Sequence, residues 1–92
     1  MIKSFKHKGL ENFYKSGKTS GIQPSHAKRL QLILTNLDQA MSPNDMDLPG
    51  LRLHKLKGNR DNIWSVMVSG NWRITFMFIG QDAEIVNYED YH

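Results

Sequence analysis

The sequence contains no cysteine. That absence excludes a disulfide framework, a thiolate metal site and a cysteine nucleophile, and it suits a cytoplasmic protein. The four histidines lack the paired spacing that zinc sites use, so neither a metal nor another cofactor is expected. Long apolar runs are missing too. Nothing approaches the roughly 20 residues needed to cross a bilayer, and the lysine-bearing N-terminus has no apolar stretch of the signal-peptide kind. The expectation is a soluble chain with no membrane partner. Repeats, linkers and low-complexity tracts are also absent, and 92 residues suffice for one modest core, so residues 1–92 are expected to form a single domain without a regulatory module.

What is present is charge in blocks. The net charge is only +3, but residues 1–29 carry +6, residues 30–50 carry −3, residues 51–73 carry +4 and residues 74–92 carry −4. Such alternation suggests a basic face for a polyanion, nucleic acid first. Mixed charged surfaces are also common on small soluble domains, and composition alone does not choose between the two.

The order of periodicities gives the fold class. Met1–Phe5 alternates apolar and polar residues like a short edge strand. Leu10, Phe13 and Tyr14 have helical spacing between Lys8 and Lys15, with Gly17 placed to stop that helix. Ser25 is positioned to cap a second helix, whose stripe is Leu30, Ile33, Leu34, Leu37 and Met41, ending near Ser42-Pro43. After an irregular stretch to Gly50 the period falls to two. Strands are expected at 52–56, 63–69, 72–79 and 83–88, with turns at Ser69-Gly70-Asn71 and Gly80-Gln81-Asp82 that are short enough to make antiparallel hairpins. The result is an α+β domain, two N-terminal helices packed on a small twisted antiparallel sheet.

In the third of the long strands Trp72, Ile74, Phe76 and Phe78 point one way, and Arg73, Thr75 and Met77 the other. The bulky set belongs in the core, so Arg73 faces the open side, where its guanidinium can fork onto a phosphate. A solvated arginine, or one paired with Glu84, is the competing reading.

Several segments together resemble a known family: Leu53-His54-Lys55-Leu56-Lys57-Gly58, Trp64-Ser65-Val66, Gly70-Asn71-Trp72-Arg73-Ile74-Thr75-Phe76 and the closing Asn87-Tyr88-Glu89-Asp90-Tyr91-His92. In this order, across essentially the whole chain, they are similar to the HigB, or plasmid maintenance killer, branch of the RelE/ParE superfamily of toxins. The resemblance implies the RelE-like fold and a ribosome-dependent endoribonuclease that cuts messenger RNA in the decoding site of the small (30S) subunit. It also implies a HigA-like helix-turn-helix antitoxin, with operator DNA bound only through the antitoxin complex.

Metal-free RNA cleavage needs a base for the 2′-hydroxyl proton, an acid for the leaving 5′-oxygen and positive charge for the phosphorane-like transition state. His92, beside Tyr91 and Asp90, is the leading proton carrier, since an imidazole titrates near neutral pH; terminal histidines are also commonly mobile and solvated, but here the tripeptide continues the strand pattern and fits the family motif. His54 is assigned to proton transfer or substrate positioning, Lys57 to phosphate charge and Arg73 to the transition state. Gly58 is placed to turn Lys57 toward the groove of His54. Tyr91 is expected to stack on a base or orient the scissile nucleotide. Lys55, Arg60, Asn71 and Asp90 are assigned to RNA contacts, Arg60 and Asn71 in second rank. His7 and His26 are not expected to be catalytic.

A non-catalytic RNA- or ribosome-binding blocker of translation would use the same basic face without needing His54 or His92 as proton carriers. A DNA-binding regulator is disfavoured, because no helix-turn-helix is evident.

Overall fold

Leu10, fully buried, and Phe13, packed against the core, give the first helix its inner face. This helix, α1, spans Lys8–Ser16 in a computed structural model that describes residues 1–58 and 62–90. His7 caps it, its Nδ1 accepting the Leu10 N–H at 3.0 Å. Gly17 ends it as expected, in the left-handed conformation with φ 78° and its N–H bonded to the Phe13 carbonyl. Gly9, in the first turn, lies directly on Gly21, where an added Cβ would stand 2.4 Å from the Gly21 carbonyl oxygen. Only a bare backbone allows that approach.

The second helix, α2, spans Ala27–Gln39 and buries Leu30, Ile33, Leu34 and Leu37. Its two ends depart from expectation. Ser25 lies inside a single 3₁₀ turn, Pro24–His26, that leads into the helix, and no side chain caps it. Met41 leaves the stripe because the helix stops at Gln39. Ala40 turns extended, with ψ 143°, and Met41 is 60% exposed. A second 3₁₀ turn, Pro43–Met46, follows and buries Met46.

Four antiparallel strands then form a meander in the order β1 (His54–Lys55), β2 (Trp64–Ser69), β3 (Trp72–Ile79) and β4 (Asp82–Asp90). Each long hairpin closes through a pair whose first residue is a glycine at positive φ, Gly70 at 55° and Gly80 at 63°. Those values suit the right-handed twist of the flanking strands. The expected strand 52–56 shrinks to two residues, since Arg52 adopts φ 52° and cannot continue an extended ladder. The N-terminal segment contributes two parallel bridges, Ile2 to Ala83 and Phe5 to Val86, along the β4 edge. Asp38 of α2 secures this segment by accepting from the Ile2 N–H and the Tyr14 hydroxyl.

One sheet face, with Val66, Val68, Ile74, Phe76, Val86 and Tyr88, joins Leu10 and the α2 stripe in one core. Each large aliphatic or aromatic side chain so buried contributes roughly 1.5–3 kcal/mol. Trp72 closes the end of this face, stacked on Tyr88 with centroids 4.5 Å apart. Beneath them the Tyr88 hydroxyl lies 2.6 Å from His26 Nδ1 and accepts from the Gln23 N–H. His26 and His7, the latter edge-on to Tyr88, thus serve the fold.

Candidate nucleic-acid cleft

The other sheet face is built by register. His54, Ser65, Thr75 and Asn87 make one row across the four strands, and Met67, Arg73 and Glu89 make the next. Alternation therefore places Arg73 opposite the core, as the sequence pattern predicts. The face is less open than expected at its centre, however. Thr75 is only 2% exposed and donates its hydroxyl to Glu89 at 2.7 Å, since a short side chain in mid-sheet is shielded by its longer neighbours. The pairing of Arg73 with Glu84 does not form. A bulge in the β3–β4 pairing sets Glu84 opposite Met77, and its carboxylate accepts from Ser4. Arg73 instead anchors one end of its guanidinium, Nη1 donating to the carbonyls of Gly70 at 2.7 Å and Trp72 at 3.1 Å.

Arg52, His54, Leu56, Lys57, Ser65 and Arg73 line one cleft of about 520 Å³ on this face. Strand β1 ends after Lys55, and Gly58 adopts φ 75°, so Lys57 is released from strand alternation and joins His54. Three cations and an imidazole converge, and no carboxylate is among the described lining residues. That combination suits an anion with spread charge, such as a phosphodiester. A groove of about 570 Å³ between α1 and α2 is as large, but its lining of Phe13, Ala27 and Leu34 beside Lys28 and Asp38 concentrates no cations. Among the described residues, no group of three or more histidine or acidic side chains is arranged to hold a metal ion.

Of the residues predicted for the site, the cleft collects His54, Lys57 and Arg73. Lys55 turns to the opposite side, its Nζ 5.9 Å from the Trp64 ring centroid. Asn71 is exposed in the β2–β3 turn, outside the cleft lining. Asp90 pairs with Trp72 rather than following Arg73 and Glu89, and its charge reaches Tyr88. Burial chiefly, with Asp90 adding to it, pushes the Tyr88 hydroxyl above its usual pKa, against the Gln23 N–H. Arg60, Tyr91 and His92 lie outside the described residues. Arg52, Leu56 and Ser65 are the lining residues that sequence reasoning missed. Arg52 lies between Leu51 and Leu53, and Ser65, itself buried, between Trp64 and Val66, all four packing in or against the core, and that alternation was the available signal.

A basic cleft on the outer face of a four-stranded antiparallel sheet, with the helices on the inner face, defines a small α+β domain with a cationic cleft. The chain belongs to the family of HigB-like toxins, RelE-like toxins of type II toxin-antitoxin systems, whose model matches residues 3–92. It is 48% identical to Endoribonuclease HigB of Proteus vulgaris over 92 residues, covering all of both chains. It is 33% identical to Toxin HigB-1 of Vibrio cholerae over 81 residues, 86% of this chain and 85% of that one. A copper-bound mutant toxin from Helicobacter pylori shares the fold with a TM-score of 0.55 at 14% identity, over 98% of this chain and 94% of the other.

Proposed function

We propose that the cleft binds the RNA backbone and that the protein is an endoribonuclease, cutting messenger RNA in the ribosomal decoding site. The observation that carries this reading is the convergence of Arg52, His54, Lys57 and Arg73 in one cleft, with no carboxylate among its described lining residues. The 48% identity to a protein named an endoribonuclease, over its full length, supports the activity.

In this reaction the 2′-oxygen attacks the adjacent phosphorus and the bond to the 5′-oxygen breaks, leaving a cyclic phosphate and a free 5′-hydroxyl. His92 and His54 are the proton carriers, one removing the 2′-hydroxyl proton and one protonating the leaving oxygen. Lys57 and Arg73 balance the charge that builds on the phosphorane, the work of an oxyanion hole. Arg73 is preorganised for it, because its two carbonyl bonds fix the guanidinium before substrate arrives. Tyr91 stacks on a base, and Lys55, Arg60, Asn71 and Asp90 make outlying RNA contacts. No metal takes part in this scheme.

A shallow cleft holds a flexible strand poorly, and alignment is worth several kcal/mol, of order 7 or more in favourable systems. The ribosome supplies that alignment by presenting the messenger already threaded, which confines the activity to the cytoplasm. No helix among the described residues is long and apolar enough to cross a membrane. As a type II toxin the protein is paired with an antitoxin, here a HigA-like helix-turn-helix protein through which the complex reaches operator DNA.

The test is induction in growing cells followed by mapping of messenger 5′ ends. Discrete new ends inside translated codons are expected. Growth arrest with intact messengers would overturn the nuclease reading in favour of a blocker.

A further inference from the structure

Arg52 holds a backbone conformation that arginine rarely adopts. Its φ of 52° lies in the left-handed region, which glycine, asparagine and aspartate enter far more readily because other side chains crowd the following carbonyl. The surroundings enforce it. On the N-terminal side, Arg29 Nη2 of α2 donates to the Gly50 carbonyl at 2.6 Å and to the Met67 carbonyl at 3.2 Å. The Leu51 carbonyl accepts the Met67 N–H at 2.7 Å, and the Leu51 side chain is fully buried. On the C-terminal side, Leu53 packs on the core and His54 pairs with Ser65. The connection is thus pinned at both ends, and Arg52 and His54 line the cleft while Leu51 and Leu53 face inward.

The side chain does nothing for the fold in return. Arg52 is exposed, and no hydrogen bond or ion pair among the described residues holds its guanidinium. A long cation at a position that suits glycine, aimed into a cleft already holding Lys57 and Arg73, marks strain retained at a functional site. We propose that Arg52 is an RNA-binding residue of this protein, its guanidinium taking a backbone phosphate of the strand that lies in the cleft. The contact positions the strand without reading its sequence and carries no proton. This inference rests on the reading of the cleft as an RNA site.

The experiment compares the parent, Arg52→Gly and Arg52→Lys on messenger-programmed ribosomes, measuring binding against salt concentration, cleavage at limiting and saturating toxin, and thermal melting. Arg52→Gly is expected to weaken binding and cleavage at limiting toxin about 10-fold or more, the usual effect of losing a charge-assisted hydrogen bond. Its salt slope should fall by about one. Cleavage at saturation and its pH profile should stay close to the parent's. Its melting temperature should rise by a few degrees, because glycine relieves the strain. Arg52→Lys should keep the salt slope. Binding and salt slope unchanged in Arg52→Gly would overturn the proposal, as would an activity loss accompanied by a lower melting temperature. A parent that leaves messengers uncut would refute the nuclease reading alone, with the salt slope still deciding the role of Arg52.

Discussion

Replacing Arg73 by alanine separates what this side chain does for the fold from what it does for the reaction. Structurally, the change removes the two donations to the Gly70 and Trp72 carbonyls. The Gly70 carbonyl is exposed at the β2–β3 hairpin, where water can take over, while the bond to the Trp72 carbonyl is part-buried, so the loss is about 1 kcal/mol. For a domain of this size that lowers the melting temperature by roughly 4–8 °C and leaves the protein folded. Trp72→Ala is the internal standard: it removes the stack on Tyr88 and opens the end of the core, at a cost of about 3–5 kcal/mol. Catalytically, loss of a preorganised donor to the developing charge slows the chemical step by about 10²–10³-fold, or 2.7–4 kcal/mol. Single-turnover cleavage on programmed ribosomes, paired with thermal melting of the same samples, measures both. Arg73→Ala should be nearly inactive yet melt only about 4–8 °C below the parent, and its induction should no longer stop growth. A melting temperature depressed as far as that of Trp72→Ala would refute the assignment of faces. Cleavage within a few-fold of the parent would refute the role in the transition state.

Replacing His92 with Gln, or deleting it, should lower single-turnover cleavage by about 10²–10⁴-fold with ribosome binding nearly unchanged; undiminished rates in both variants would shift proton transfer to His54, Lys57 and Tyr91. Stability should decline as pH rises above 10.0, the ordinary tyrosine value. Buried Tyr88 holds its proton above that pH while the unfolded chain has lost it, so its contribution is complete below 10.0 and fades toward the raised folded value. Tyr88→Phe should flatten the decline in alkaline melting curves, and an unaltered slope would exclude Tyr88 as a source. Ile85→Gly should stabilise the fold by about 1 kcal/mol, since a β-branched residue at φ 48° in the β4 bulge is strained and its side chain is 41% exposed. Chemical denaturation checks this, and a lower midpoint would mean that the isoleucine's contacts outweigh the strain.

Local patterns carried most of the architecture. The α2 stripe is legible because four of its five apolar residues do lie on one helical face, and the hairpins are legible because glycines open short loops between alternating strands. Met41 fails because a helix end depends on where the chain must next go, and here Ala40 turns extended. The cleft was half legible. Arg73 follows from strand alternation alone, whereas joining Lys57 to His54 depends on β1 stopping after two residues. Asp90, grouped with the site by motif, pairs in register with Trp72, outside the cleft lining.

The sequence by itself determined the α+β class, the two helices, the long hairpins, the buried face of β3 and the family, because these rest on periodicity, turn chemistry and ordered motifs within short stretches. Only the tertiary structure decided the bulge at Ile85, the left-handed Arg52, the burial of Thr75 and the company of four basic side chains in one cleft. Each of those arises from contacts between residues distant in the chain, such as Arg29 of α2 holding the carbonyls of Gly50 and Met67. A periodicity confined to one segment carries no record of which other segment will pin it.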